Sequence, residues 1–338
     1  MQCTAILLAL ACIVHLQVAD AFLPVSRPQI LRTGASSVIA SGTALQMSTA
    51  WDSGSYLLKL AQAFVESDFG VTQKSLLSSE FSCSGPTFKG ISRESYLAGL
   101  AKETEAFQTA VPDFDIRGYD FQVDALDPST VWFKIRPRGT ITGPFVYQGQ
   151  TYLPNNRAFE LPVQQMSITL AKETVGKITR VTAGYVVDRL TGNTGGLPGP
   201  LGVLHILGDA PYLPPPVALP APFQEPEMIS LARATLLAGL GRSDPSLLAE
   251  DFQYSDPLLV LSKSEYLDHT LAVVEGVEGA DKLTPASFQV DSLEPDRVWV
   301  IARSTGGAPE AISISLDSRG LCYRITSGYS LDIEQGDL

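Results

Sequence analysis

The chain repeats itself, and this constrains its fold more than any other feature. The stretch FQVDALDPSTVWFKIRPRG at residues 121–139 returns as FQVDSLEPDRVWVIARSTG at residues 288–306, a constant offset of 167 across nineteen positions. Two further blocks recur in the same order. Residues 75–97 align with residues 246–267, matching Phe81 to Phe252 and Tyr96 to Tyr266, and residues 166–188 align with residues 312–332, both closing on Gly-Tyr-x-x-Asp. Self-similarity of this kind marks one supersecondary unit used twice. A chain this long also exceeds what a single hydrophobic core ordinarily holds.

Each copy opens on a helical pattern. Leu57, Ala61 and Phe64 share one face in the first, and Ile229, Ala232, Leu236 and Leu240 share one in the second. A second helix starts near Ser92 and near Ser262. The sequence Ser262-x-x-Glu265 is a capping box, which the first copy lacks. Runs rich in Val, Ile, Phe and Trp follow with period-two alternation, divided by turn signals such as Asp127-Pro128 and Glu294-Pro295, and they predict antiparallel hairpins. Helices first and strands afterwards predict an α+β domain in which one curved sheet wraps the helices and encloses a pocket. Between the copies, residues 191–222 are dense in Gly and Pro, and only LGVLHILG has the composition of a short helix. The expected division is residues 51–190 for the first domain, 191–223 for the linker and 224–334 for a shortened second domain.

The N-terminus reads as an address. Residues 5–14, AILLALACIV, form an apolar core too short to span a bilayer but suited to a secretory signal, and Ala19 and Ala21 supply the small residues of a cleavage site. Residues 22–46 then contain two Arg, several Ser and Thr, and no Asp or Glu. A signal peptide (1–21) followed at once by a Phe-led transit segment (22–46) resembles the bipartite presequences of algae with secondary plastids; the junction here is ADAFLP. The resemblance implies a chloroplast protein, the alternative being an ordinary secreted one. Without residues 1–46 the chain keeps 22 basic and 35 acidic side chains, a net charge of −13, which disfavours nucleic acid and anionic membranes as partners. No later segment approaches the length of an apolar transmembrane helix. Cys83 and Cys322 lie far apart without metal-type spacing, so free thiols, no metal and no cofactor are expected.

The first copy also contains GTITG (139–143), then Asn156-Arg157-Ala158-Phe159-Glu160-Leu161, then GKITRV (176–181) and Asp188 before an apolar, Gly-rich tail. This order resembles the SnoaL-like polyketide cyclase branch of the nuclear-transport-factor-2-like superfamily, over about residues 51–208, with the second copy a shortened relative. The resemblance implies two tandem cone-shaped α+β domains with largely apolar cavities, whose relatives isomerise or cyclise ketones or bind a ligand. It also makes an intramolecular pseudo-dimer of the two repeats the expected arrangement. Two departures speak against enzymology: Ile141 stands where many members carry His, and Gly184 replaces an aromatic four residues before the closing Asp. Of the histidines beyond the presequence, His205 falls in the linker and His269 on an exposed helical position, so a His-centred dyad is not expected.

Asp188, with Asp332 as its counterpart, is the candidate general base, because enolisation needs a carboxylate desolvated enough to act near neutral pH. Its alternative role is to cap a strand end or pair with Arg. Trp132 and Trp299 match, with Arg136 and Arg303 four residues on and on the same strand face, giving either an aromatic wall with a cationic end or a core Trp beside an outward Arg. Tyr96, Tyr266, Tyr185 and Tyr329 supply hydroxyls that could polarise a carbonyl or simply bond the backbone. Tyr96, Trp132, Arg136 and Tyr185 are therefore the candidate ligand-binding residues. The expected function is binding of a small, mainly apolar molecule in the first cone, against an isomerase or cyclase using Asp188, or a scaffold within a photosynthetic assembly.

Overall fold

The computed structural model describes residues 54–327, except 87, 125–126, 171–175, 209–210, 257–258, 269–286 and 304–308, and except the side chains of 102–106, 303 and 309. Residues 1–53, and with them the segment expected to be a presequence, as well as His269, Tyr329, Asp332 and the Arg303 side chain, lie outside the described residues.

The first domain begins with α1 (Gly54–Glu66), whose Leu57, Leu60, Ala61 and Phe64 are buried, as the apolar spacing requires. The strands β1 (Leu77–Gly85) and β2 (Phe88–Ser92) form a hairpin before α2 (Arg93–Ala110). Then come β3 (Gly118–Val123), β4 (Thr130–Ile135), β5 (Arg138–Thr140), β6 (Phe145–Tyr147), β7 (Gln150–Tyr152), β8 (Ala158–Glu160), β9 (Val163–Leu170) and β10 (Ile178–Asp188). A short helix, α3 (Gly199–Leu207), follows. Its Val203 and Ile206 belong to the first core, so this part of the Gly/Pro-rich connection packs with the first domain. The second domain repeats the plan with α4 (Glu225–Leu237), β11 (Leu248–Ser255), β12 (Val260–Ser262), α5 (Lys263–Asp268), β13 (Phe288–Val290), β14 (Arg297–Arg303), β15 (Pro309–Leu316) and β16 (Cys322–Ser327).

The two six-stranded sheets have matching strand orders, β2-β1-β10-β9-β4-β3 and β12-β11-β16-β15-β14-β13. The α+β class and the duplication hold, but helices first and strands after do not. In each copy a hairpin precedes the second helix, and its first strand pairs in parallel, β1 with β10 and β11 with β16. Equivalent details recur below the level of topology. Tyr96 Oη donates to Phe69 O at 3.2 Å and Tyr266 Oη to Leu240 O at 3.1 Å. Ser262 N and Oγ both donate to Glu265 Oε2, at 2.9 and 2.6 Å, whereas Ser92 Oγ accepts from Ser95 N at 3.4 Å and donates to Ser95 Oγ at 3.3 Å, with no capping-box Glu to receive it.

The central strands are buried on both faces. On β4, Val131, Phe133 and Ile135 enter the first core with Met166 and Ile168 of β9. Trp132, one step out of phase, meets Val163, Tyr185, Val187, Trp299, Ala311 and Ile301 in a separate cluster drawn from both domains. The second sheet divides alike: Val298, Val300 and Ala302 face its own core, while Trp299 joins the shared cluster. Each sheet thus wraps its helices with one face and meets the other sheet with its outer face.

Candidate functional site

The outer faces gather most of the buried charge. Asp188 Oδ2 lies 2.8 Å from Arg297 Nη2, both side chains without exposed surface, and 3.5 Å from Arg324 Nη2, while Asp188 Oδ1 accepts from Leu190 N at 2.9 Å. Arg297 Nη2 is also 2.5 Å from Glu294 Oε2. These are contacts of charge and not aligned hydrogen bonds, since Asp188 Oδ2 and the Arg297 nitrogens have no hydrogen-bond partner among the described residues. Burial would lower the proton affinity of Arg297, but Asp188, Glu294 and Asp291 outweigh it and push the guanidinium above its ordinary value. Arg136 continues the chain of charges, 2.6 Å from Glu294 and 2.7 Å from Glu160, which also pairs with Arg117 at 2.8 Å.

Lys134 sits beside this network, buried against Asp120 at 3.1 Å, with its ammonium 5.0 Å from the Trp299 ring centre. Burial lowers its pKa, opposed by the charges of Asp120 and Asp291. Asp120 also accepts from Ser292 Oγ of the second domain at 2.7 Å. The paired tryptophans are fixed identically, Trp132 Nε1 to Asp124 and Trp299 Nε1 to Asp291, each at 2.7 Å.

The sequence candidates therefore separate by place. Asp188, Trp132, Arg136 and Tyr185 come together, but on the outer face, between the domains. Tyr185 reaches it because β10 shifts register between Thr182 and Tyr185, at Gly184, whose φ of 85° suits glycine. Tyr96 alone lies inside the first cone, where its hydroxyl is held by Phe69 O and its ring packs 4.9 Å from Phe81. Cys83 and Cys322 are free and fully buried, and burial pushes both thiols up. Among the described residues no group of three or more His, Cys, Asp or Glu is arranged to hold a metal ion, and no helix is long and apolar enough to cross a membrane.

The inner face of the first sheet is apolar, its interior built from ring contacts such as Phe107 with Phe114 at 4.8 Å and Phe107 with Phe145 at 5.7 Å. Gln164 breaks the pattern. It pairs in register with Ile135 on one side and Val186 on the other, sharing their face, and has no exposed surface. Neither its Oε1 nor its Nε2 has a hydrogen-bond partner among the described residues. A buried amide left so costs about 1–3 kcal/mol for each unpaired group. The offset that aligns Met166 with Ile312 aligns Gln164 with Glu310, which pairs with Ala302 on the inner face of the second sheet. Burial raises the Glu310 pKa, and no ion pair compensates among the described residues. Neither residue is a sequence candidate, although a polar side chain at the same apolar phase of both repeats was a readable signal.

A cleft of about 640 Å3 opens where Arg117, Arg136, Arg138, Asp115 and Glu160 meet Pro215 and Pro216 of the connection and Leu293 of the second domain. Its guanidiniums are already paired with its carboxylates, Arg138 with Asp115 at 3.1 Å among them.

No family model and no curated protein matches the chain. Several solved structures do match. AclR of Streptomyces galilaeus, described as a candidate hydroxylase, is 15% identical with a TM-score of 0.29, over 49% of this chain and 93% of its own. A protein of Jannaschia sp. CCS1, described as a candidate SnoaL-like polyketide cyclase, is 13% identical with a TM-score of 0.29, over 38% and 85%. A nuclear-transport-factor-2-like protein of unknown function from an Exiguobacterium is 14% identical with a TM-score of 0.22, over 42% and 96%. The Jannaschia and Exiguobacterium proteins carry descriptions from the class that the motifs resemble; the strand orders and registers above define the fold of this chain.

Proposed function

We propose that the protein is a small-molecule-binding module of the plastid, in which two cones form an intramolecular pseudo-dimer and the first holds a mainly apolar molecule. The observation that carries this reading is the placement of Asp188. A carboxylate with no exposed surface, set against Arg297 and Arg324 between the domains, is out of reach of a molecule held in the first cone, so the chemistry this fold could run through it is disfavoured. Binding inside the first cone needs no such group.

The test is to incubate the purified protein with pigment and lipid extracts of photosynthetic cells and to identify retained compounds by native mass spectrometry. One compound class held at one molecule per chain is the expected result, and none retained from several extracts would sink the reading. The plastid address rests on the junction at Phe22. A fluorescent fusion carrying Phe22→Ala should stay outside the stroma, and unchanged import would refute a bipartite presequence.

The ring contacts across the first interior favour a second reading, a rigid non-catalytic scaffold whose cone is filled by its own side chains. The same retention experiment separates the two. An isomerase or cyclase working through Asp188 predicts instead that Asp188→Asn abolishes a turnover while leaving the domain contact intact.

A further inference from the structure

We infer that Gln164 is the group that reads the ligand of the first cone, and that the ligand joins an apolar body to a neutral head carrying a hydrogen-bond donor and an acceptor side by side, as in a primary amide or a lactam. This inference rests on the binding function proposed above and names the ligand class for it. A side-chain amide presents one acceptor and two donors, and both ends of Gln164 are without a partner among the described residues although the residue is fully buried. Its neighbour Gln165 donates Nε2 to Phe133 O at 2.9 Å and leaves only its Oε1 without a partner among the described residues, so a glutamine on this strand can reach backbone when its face permits. Gln164 is held away from such partners because its phase on β9 points it to the apolar inner face, between Ile135 and Val186. Of the three residues on this rung, Gln164 and Ile135 have no exposed surface and Val186 is partly exposed.

A second, independent observation comes from the other copy. Glu310 occupies the equivalent rung of the second sheet, again on the inner face and again without an ion pair among the described residues. A polar side chain kept at one apolar phase in both copies, an amide in one and a carboxyl in the other, fits a place where a ligand head is chosen. An amide selects a neutral head with both a donor and an acceptor, and a carboxylate does not.

The probes are octanamide, methyl octanoate and octanoic acid, titrated into the purified protein near neutral pH and followed by native mass spectrometry. They share a tail, and only octanamide is neutral with both hydrogen-bonding functions. Octanamide should bind at least about tenfold more tightly than methyl octanoate, a difference of about 1.4 kcal/mol, and octanoate should bind most weakly. Gln164→Leu should reduce the first ratio to about one. In the unaltered protein, the side-chain amide resonance of Gln164 should shift on adding octanamide and not on adding methyl octanoate, a readout that does not depend on any variant folding. An unchanged ratio in Gln164→Leu, an unmoved resonance, or no binding of any probe overturns the inference. If extract compounds are still retained, only the role of Gln164 falls; if nothing is retained, the binding function falls with it.

Discussion

Replacing Asp188 by Asn tests the central contact between the domains. The substitution keeps the shape of the side chain and an oxygen for the Leu190 amide, but removes the charge that faces Arg297. Breaking a fully buried ion pair by removing one partner costs about 3–5 kcal/mol, because the other charge stays out of water. Arg297 keeps Glu294 at 2.5 Å, so the lower end, about 3 kcal/mol, is expected. The loss should fall on the contact, not on either cone. Trp132 and Trp299 both lie in that contact, and in a Trp51→Phe background they are the only tryptophans left, so their emission reports it while far-ultraviolet circular dichroism reports the cones. In urea the fluorescence midpoint should fall by roughly 1 M, taking an m-value of about 3 kcal/mol per M, and should precede the dichroism transition. The double replacement Asp188→Leu with Arg297→Met should recover most of the loss, since a packed apolar pair needs no counter-charge. Coincident transitions with an unmoved midpoint would refute the reasoning and return Asp188 to the list of free carboxylates.

Two other perturbations follow from local physics. Burial raises the Glu310 carboxyl above its ordinary value, so between the ordinary and the raised value the folded chain binds more protons than the unfolded one, and stability should fall as pH rises through that window. Glu310→Gln should flatten that slope and raise the urea midpoint at about pH 7.5 more than at about pH 5; equal shifts at both would count against it. At Gly184 a Cβ would meet Pro86 Cδ at an ordinary 3.5 Å, so the obstacle to other residues is the backbone φ of 85° alone. Gly184→Val should cost about 1–3 kcal/mol, and Gly184→Asn distinctly less because asparagine tolerates positive φ. Equal losses for the two in chemical denaturation would show that sterics, not conformation, govern the bulge.

How far the site could be read in advance depends on which physical signal each part leaves. Helix α1 was legible because Leu57, Ala61 and Phe64 repeat at helical spacing, and all three are buried. The strand β1 was not, because LSSEFSCSG mixes polar and apolar residues at a position where pairing with β10, over ninety residues later, decides its state. Trp132 and Arg136 were correctly placed on one face, but period-two alternation names the residues that share a face and is silent on whether that face is concave. Both faces of β4 are buried, so burial patterning carried no preference either.

The sequence by itself determined that one α+β unit is used twice, because a nineteen-residue block at constant offset leaves no other reading, and it determined the helix caps and the helix within the Gly/Pro-rich connection. Only the tertiary structure decided what the repeated residues are for. The direction in which each sheet curves sends Val131, Phe133 and Ile135 inward and Trp132 outward, and it carries Asp188 to Arg297, more than a hundred residues away. Curvature and the meeting of two sheets are properties of many pairings taken together, which no local pattern records. The same curvature turned Gln164, an unremarked residue in an apolar strand, into an amide facing the inside of a cone.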